Sequence, residues 1–396
     1  MNQPKLLVYC TLFPSNKRPN AGVFIRERMF RVGQQLPIVV VSPVPWFPLQ
    51  GIIRYWKPNF RPQPDKFEIQ QGVQVYFPRF LSIPGLFKSW DGFLMALGSF
   101  TTLVKLKKEF NIIDAHFAYP DGYAATILGK WFKVPVTMTL RGTEVPLSKI
   151  QGRKIRMLKA INCATRIFSV ADSLKQHVVS LGASSDKIRV VGNGVDINKF
   201  YALDKRQERA ELNISVNAKV LVSVGALVER KGFHRVIEAL PELIKKYPDL
   251  IYLIIGGDSP EGNIRNQLEQ QVKTLELEKH VQFLGALSSE QLKKPLSTAD
   301  IFALSTANEG WANVFLEAMA CGLPVVTTDV GGNREVVNND DLGIIVPFDD
   351  KQALVNALFQ SLEQTWDKEN IIAYARNNAW DTRVEILVGE FKKLVA

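Results

Sequence analysis

Short, mostly apolar runs alternate with amphipathic stretches along the whole of this chain. Val220–Val224, Ile301–Leu304 and Gly343–Val346 are examples from the second half, and Lys5–Leu12, Ile112–Ala115 and Val136–Leu140 from the first. Each is too short for a helix and ends at a glycine or polar turn before a helical stretch. Strands apolar on both faces need cover on both sides, which a parallel sheet flanked by helices provides. The alternation therefore predicts an α/β chain. Its 396 residues exceed one typical core, so two Rossmann-like parallel-sheet domains facing a central cleft are expected.

In such sheets, ligand-handling residues gather at strand carboxyl ends. The richest such place is Ser305–Thr328, S-T-A-N-E-G-W-A-N-V-F-L-E-A-M-A-C-G-L-P-V-V-T-T. It reads as the end of a buried strand (Ile301–Leu304), a polar loop, a helix starting near Ala312 or Asn313, and the next strand. Val314, Phe315, Ala318 and Met319 fall inward at helical spacing, and Gly322 and Pro324 punctuate the end. Glu309 lies in the loop and Glu317 inside the helix, so the two carboxylates do not share a helical face. The backbone amides of Gly310, Trp311, Ala312 and Asn313 open at the helix start, where an anion is readily held.

Glu309, Glu317 and the run E-A-M-A-C-G-L-P-V-V resemble the Glu-x7-Glu motif of family-4 retaining glycosyltransferases of the GT-B fold. The resemblance covers nearly the whole chain and is densest over 219–347. It implies that Glu309 faces the donor sugar, that Glu317 clamps the nucleotide's ribose, and that the amides of 310–313 hold sugar and diphosphate. After Val220–Val224 the chain reads G-A-L-V-E-R-K-G, where the family usually has Gly-Arg-Leu and then Lys-Gly. Lys231 matches the diphosphate-binding lysine. Ala226 stands where the arginine is expected, which leaves Arg230 to supply that charge. Gly256 and Gly285 end strands whose turns face the donor, the latter by resemblance at the base pocket. Gly22, at the entrance of a helix from Val23 to about Gln35, suits close approach by a ligand and matches a family loop near the diphosphate.

Of the four histidines only His116 falls at a strand's carboxyl end, and the family has a histidine there, near the donor sugar. The strand Val136–Leu140 ends in Arg141-Gly142-Thr143-Glu144, in place of a His-Gly-x-Asp-like sequence, so Arg141 and Glu144 are candidates for acceptor contact. Catalytic roles fall to His116, Glu309 and Lys231. The implied reaction moves a sugar from a nucleotide-sugar donor to a glycan or lipid-linked acceptor in cell-surface polysaccharide assembly. Departure of the nucleoside diphosphate is steadied by Lys231, Arg230 and helix amides, with no covalent role for Glu309. No clustered His/Asp metal set appears, so no metal or other cofactor is expected. Two rivals remain open at this stage: a sugar-nucleotide epimerase on the same fold, and a non-catalytic partner subunit, for which Ala226 is the sole support.

Charge separates the halves. Residues 1–200 hold 28 lysines and arginines against 11 acids, while residues 201–396 hold 21 against 28. A basic first half points to an anionic membrane surface or a phosphate-linked lipid acceptor. Nothing resembles a helix-turn-helix, zinc finger or aromatic RNA signature, so no specific nucleic-acid partner is expected. Trp46, Phe47, Trp56, Phe87 and Trp90 lie among Arg54, Lys57, Arg79 and Lys88. That mixture suits either a membrane interface or a satellite core under long loops. Cys10, Cys163 and Cys321 are widely spaced within predicted buried elements and read as free core thiols of a reducing compartment. With no secretory leader or apolar membrane span, the expected place is the cytoplasm, at the inner face of the cytoplasmic membrane. Asn193-Gly194-Val195-Asp196 closes the first domain, 1–200, and polar 203–217 reads as linker. A nucleotide-sugar domain of 201–375 and a terminal helix of 376–396 crossing back to the first domain complete the layout.

Overall fold

A computed structural model describes residues 3–57, 60–259 and 261–395. The chain divides into two compact units, Met1–Gly192 with Asp381–Ala396, and Asn193–Trp380.

The second unit carries a six-stranded, wholly parallel sheet. Its strands in spatial order are Val281–Gly285, Ile251–Ile255, Val220–Val224, Ile301–Leu304, Val325–Thr328 and Gly343–Val346. In chain order that is 3-2-1-4-5-6, the doubly wound arrangement whose winding reverses between strands 1 and 4. Val220–Val224 and Ile301–Leu304 are buried throughout, as strands covered on both faces must be. One core layer sets Phe302 and Leu304 against Phe315 and Met319; the other sets Leu221, Tyr252 and Ile254 against Phe233, Val236 and Leu240.

The first unit has an eight-stranded sheet in the order Ile188–Val190, Arg166–Ser169, Val136–Leu140, Ile112–His116, Leu6–Tyr9, Ile38–Val41, Val73–Tyr76 and Phe67–Gln70. All neighbours run parallel except the last pair, a hairpin. The chain's final helix, Trp380–Lys393, closes this unit, and Val384, Leu387, Val388 and Phe391 enter the core with Ile25, Met29 and Phe168.

The α/β class and both parallel Rossmann-like sheets stand as expected; several local readings do not. The strand expected over Ile38–Val44 stops at Val41, because Pro43 offers no N–H to the ladder. Val44–Trp46 instead pairs with Arg79–Leu81 as a separate two-stranded ribbon. The polar stretch 203–217, read as linker, contains a helix, Lys205–Glu211, capped by Asp204. Arg209 explains it: the guanidinium is buried against Asp300 at 3.0 Å and donates to the Thr298 carbonyl, so the helix is held by polar contacts invisible to apolar periodicity. Cys163 is exposed, not a core thiol. It ends the helix Gln151–Cys163, whose inward face is Met157, Ala160 and Ile161. The division between units falls at 192/193 because Val195 bridges to Ala379 and Phe200 joins the second core.

Candidate active site

In the second unit the two strands at the winding reversal release adjacent loops. The loop after Val220–Val224 runs to a short 3₁₀ turn, Glu229–Lys231, and then to the helix Phe233–Lys246. The loop after Ile301–Leu304 runs to the helix Asn313–Ala320. The Arg230 carbonyl locks the two together, accepting from the Ala307 amide at 2.7 Å and from the Thr306 hydroxyl at 3.0 Å. Lys231 and Glu309, far apart in sequence, thereby meet: Nζ lies 2.5 Å from Oε1. Thr306 Oγ1 lies 3.2 Å from the same oxygen, so its one proton is shared between Glu309 and the Arg230 carbonyl, and Arg230 Nη1 stands 3.7 Å away.

Arg230 is shared. Its guanidinium grips Glu261 through Nε at 2.7 Å and Nη2 at 2.9 Å, and those hydrogen bonds push its pKa up. Glu309 is also fixed from behind. Gly331, at φ 53°, leaves no room for a side chain, since an added Cβ would collide with the Glu309 carbonyl, and the Gly332 amide donates to that carbonyl at 3.3 Å.

The helix Asn313–Ala320 begins at Ala312, and no side chain caps it, which leaves its first amides open to an incoming acceptor. Asn313 Oδ1 accepts from Asn193 Nδ2 at 2.9 Å, so the Asn-Gly turn serves this helix start. The buried indole Nε1 of Trp311 has no hydrogen-bond partner among the described residues. Glu317 lies one helical turn beyond the start, half-buried. Burial pushes its carboxyl up to about 7 against the pull of Lys231 and Lys199. Gly256 and Gly285 close neighbouring strands, and Gly256 presses on the Gly225 carbonyl.

Over 309 residues the chain is 35% identical to a D-inositol 3-phosphate glycosyltransferase of Corynebacterium urealyticum, covering 72% of each protein. Residues 204–378 match the family described as glycosyl transferases group 1, and residues 52–199 match glycosyltransferase family 4. The chain belongs to the family-4 glycosyltransferases. A putative teichuronic acid biosynthesis glycosyltransferase, TuaC of Bacillus subtilis, is 26% identical over 92% of this chain and 91% of its own. In fold, this glycosyltransferase is similar to HepE of Anabaena, solved with UDP, at a TM-score of 0.75 and 19% identity over 98% of this chain and 100% of that one. Sucrose-phosphate synthase of Thermosynechococcus elongatus superposes at 0.80, again at 19% identity, over 100% and 99%.

Other expected site residues of the glycosyltransferase lie in its first unit, where a buried polar cluster sits at the carboxyl ends of Leu6–Tyr9, Ile112–His116 and Val136–Leu140. His116 is fully buried. Arg141 Nε and Nη2 lie 3.3 and 3.1 Å from its Nδ1, and Asp114 Oδ2 lies 3.5 Å from its Nε2. Burial, then the Arg141 and Arg28 cations, hold the imidazole well below its ordinary pKa and therefore neutral. Arg141 also stacks over Phe24. Glu144, expected at the acceptor, is fully buried and accepts from the amides of Ala118, Arg141 and Gly142. That occupation makes it a staple of its own loop. Gly22 likewise answers to the protein itself: at φ 68° it starts the helix Val23–Gly33, and a Cβ would strike the Leu12 carbonyl.

Sequence reasoning passed over Thr306, Glu261, Asn193 and Gly331 as members of the second-unit cluster. Asn193 and Gly331 left signals, the Asn-Gly turn read as a domain boundary and the D-V-G-G at a strand's carboxyl end. Among the described residues no group of three or more His, Cys, Asp or Glu could hold a metal ion. No helix among them is long and apolar enough to cross a membrane.

Proposed function

We propose that the chain is a retaining glycosyltransferase that moves a sugar from a nucleotide-sugar donor to a glycan or lipid-linked acceptor, working at a membrane surface in polysaccharide assembly. The observation that carries this reading is the meeting of Lys231 with Glu309 at 2.5 Å, at the point where the second sheet reverses its winding and beside an uncapped helix start. HepE, of the same fold, was solved with UDP and with UDP-glucose, and TuaC is described as a putative teichuronic acid biosynthesis glycosyltransferase.

In this reading the second unit takes the donor and the first takes the acceptor. Lys231 and the helix amides carry the charge that grows on the departing diphosphate. Arg230 adds to them once it shares itself between Glu261 and phosphate. Glu309, oriented by Lys231 and Thr306, hydrogen-bonds the sugar, and Glu317 accepts from the ribose hydroxyls. The acceptor attacks from the face the diphosphate leaves, and its proton passes to the leaving phosphate.

Calorimetry with UDP, GDP and ADP tests the donor site. One base should be preferred, and Lys231→Ala and Glu317→Ala should each weaken it roughly ten- to a hundredfold, as expected for a lost charge-assisted hydrogen bond. Unchanged binding in both variants would move the donor elsewhere.

A further inference from the structure

The helix Asp91–Lys105 carries more apolar surface than its own unit uses. It buries Gly92, Met95, Ala96, Ser99 and Leu103, yet Phe93, Leu97, Phe100 and Val104 form a second stripe that stays exposed. A helix apolar on two sides is normally covered on two sides. Phe100 extends the stripe by an edge-on contact, at 5.5 Å, with the exposed Trp131.

The same surface continues beyond this helix. It packs on the ribbon strand Arg79–Leu81, and the paired Trp46 and Leu81 at the ribbon's end are exposed. Arg61 donates to the Ser82 carbonyl and Arg54 to the Arg61 carbonyl, which ties the helix Gln50–Trp56 to that end. Leu49 just before this helix and Tyr55 and Trp56 at its end are 74, 86 and 77% exposed, and Phe87 is 68% exposed. Large apolar side chains left this exposed beside one another, among cations, are the signature of an interaction surface.

Charge says which partner. Between Pro43 and Lys108 the chain holds nine lysines and arginines and three acids. Those acids are already engaged, Asp91 by Lys88 and Asp65 and Glu68 by Asn16. Beside the apolar stripe, Lys66, Arg79 and Lys105 line a cavity of about 470 Å³ with Phe67, Tyr76 and Thr102. A second copy would bring the same positive charge against itself, whereas anionic headgroups complement it. Tryptophan, tyrosine and interleaved cations suit the headgroup–acyl boundary.

We propose that this face docks the enzyme on an anionic phospholipid bilayer, with Leu49, Tyr55, Trp56, Phe87, Leu97 and Phe100 entering the interface and Arg79 and Lys105 meeting lipid phosphates. The proposal rests on the membrane-surface reading above and gives it a place on the molecule.

Sedimentation with sucrose-loaded vesicles tests it, using phosphatidylcholine alone and phosphatidylcholine mixed with phosphatidylglycerol. The native chain should favour the mixed vesicles and lose binding as salt rises. Tyr55→Ser with Trp56→Ser, and separately Arg79→Glu with Lys105→Glu, should each weaken binding at least about tenfold, the equivalent of about 1.4 kcal/mol. Circular dichroism and nucleotide calorimetry are run on both variants, and an unchanged spectrum with unchanged nucleotide affinity assigns any loss of vesicle binding to the surface itself. Native-like vesicle binding by both variants, or none by the native chain, overturns the proposal. So does a native dimer that the serine variant converts to a monomer. Loss of nucleotide binding with vesicle binding intact would instead overturn the donor reading alone.

Discussion

Glu317 sets a pH dependence at the level of one residue. Its folded pKa, about 7, lies above the ordinary glutamate value of about 4.3. The folded chain therefore keeps this proton where the unfolded chain has lost it. Its effect on stability falls as pH rises from about 4.3 to about 7 and levels off above that. Its effect on binding has the opposite sign, because the ionised carboxylate is the stronger acceptor for ribose hydroxyls. UDP affinity should rise about three- to tenfold between pH 6 and pH 8, and Glu317→Gln should flatten much of that rise. Calorimetry on both proteins across that range decides, the variant correcting for titration of the nucleotide's own phosphate. An identical slope in the two would mean that Glu317 does not touch the nucleotide.

At the scale of elements, the final helix offers the sharpest test. Glu390 is buried, which alone would raise its carboxyl. Hydrogen bonds from Lys393, Arg166 and Arg189 outweigh that and hold it down to about 2. Arg166 and Arg189 stand at 2.6 and 2.5 Å, on the strands Arg166–Ser169 and Ile188–Val190. The contribution is present above about pH 4.3 and is lost as pH falls toward 2. Glu390→Gln should cost about 2 kcal/mol at neutral pH, below the cost of breaking a fully buried pair because both arginines are partly solvated. Urea unfolding at pH 7 measures it, and the deficit should shrink on acidification. Elements of this kind also mark the limit of what the sequence discloses. Val136–Leu140, Val220–Val224, Ile301–Leu304 and Gly343–Val346 were legible to the residue, because short β-branched and apolar runs bounded by turns are what strands of a covered sheet require; the first three are buried throughout. The helix Lys205–Glu211 was not, since Arg209 and Asp300 hold it through charges that leave no period. The Glu309–Lys231 meeting was half legible: each residue lay in the loop that follows a buried strand, but their contact needs the strand order. The buried tasks of Glu144 and Gly22 were illegible, because a loop staple and a ligand contact ask for the same residue types.

On the scale of the whole molecule, the second unit is an insertion, since Asp381–Ala396 belongs with Met1–Gly192. Removing Asp381–Ala396 withdraws Val384, Leu387, Val388 and Phe391 from the first core. At about 1.5–3 kcal/mol for each buried side chain, that loss rivals the net stability of a domain, about 5–15 kcal/mol. The truncated chain should therefore lose the cooperative unfolding of its first unit and still bind nucleotide through its second, as urea unfolding followed alongside calorimetry would show. Unaltered unfolding would mean that the helix is dispensable. The same arrangement inverts the usual order of birth. Chains generally fold from the end that leaves the ribosome first, but here residues up to Gly192 wait for those from Asp381 on, with a trough around Phe168 left open. The inserted unit can close while the first still stands unfinished, so the nascent chain must shelter an apolar groove until residues 381–396 have emerged.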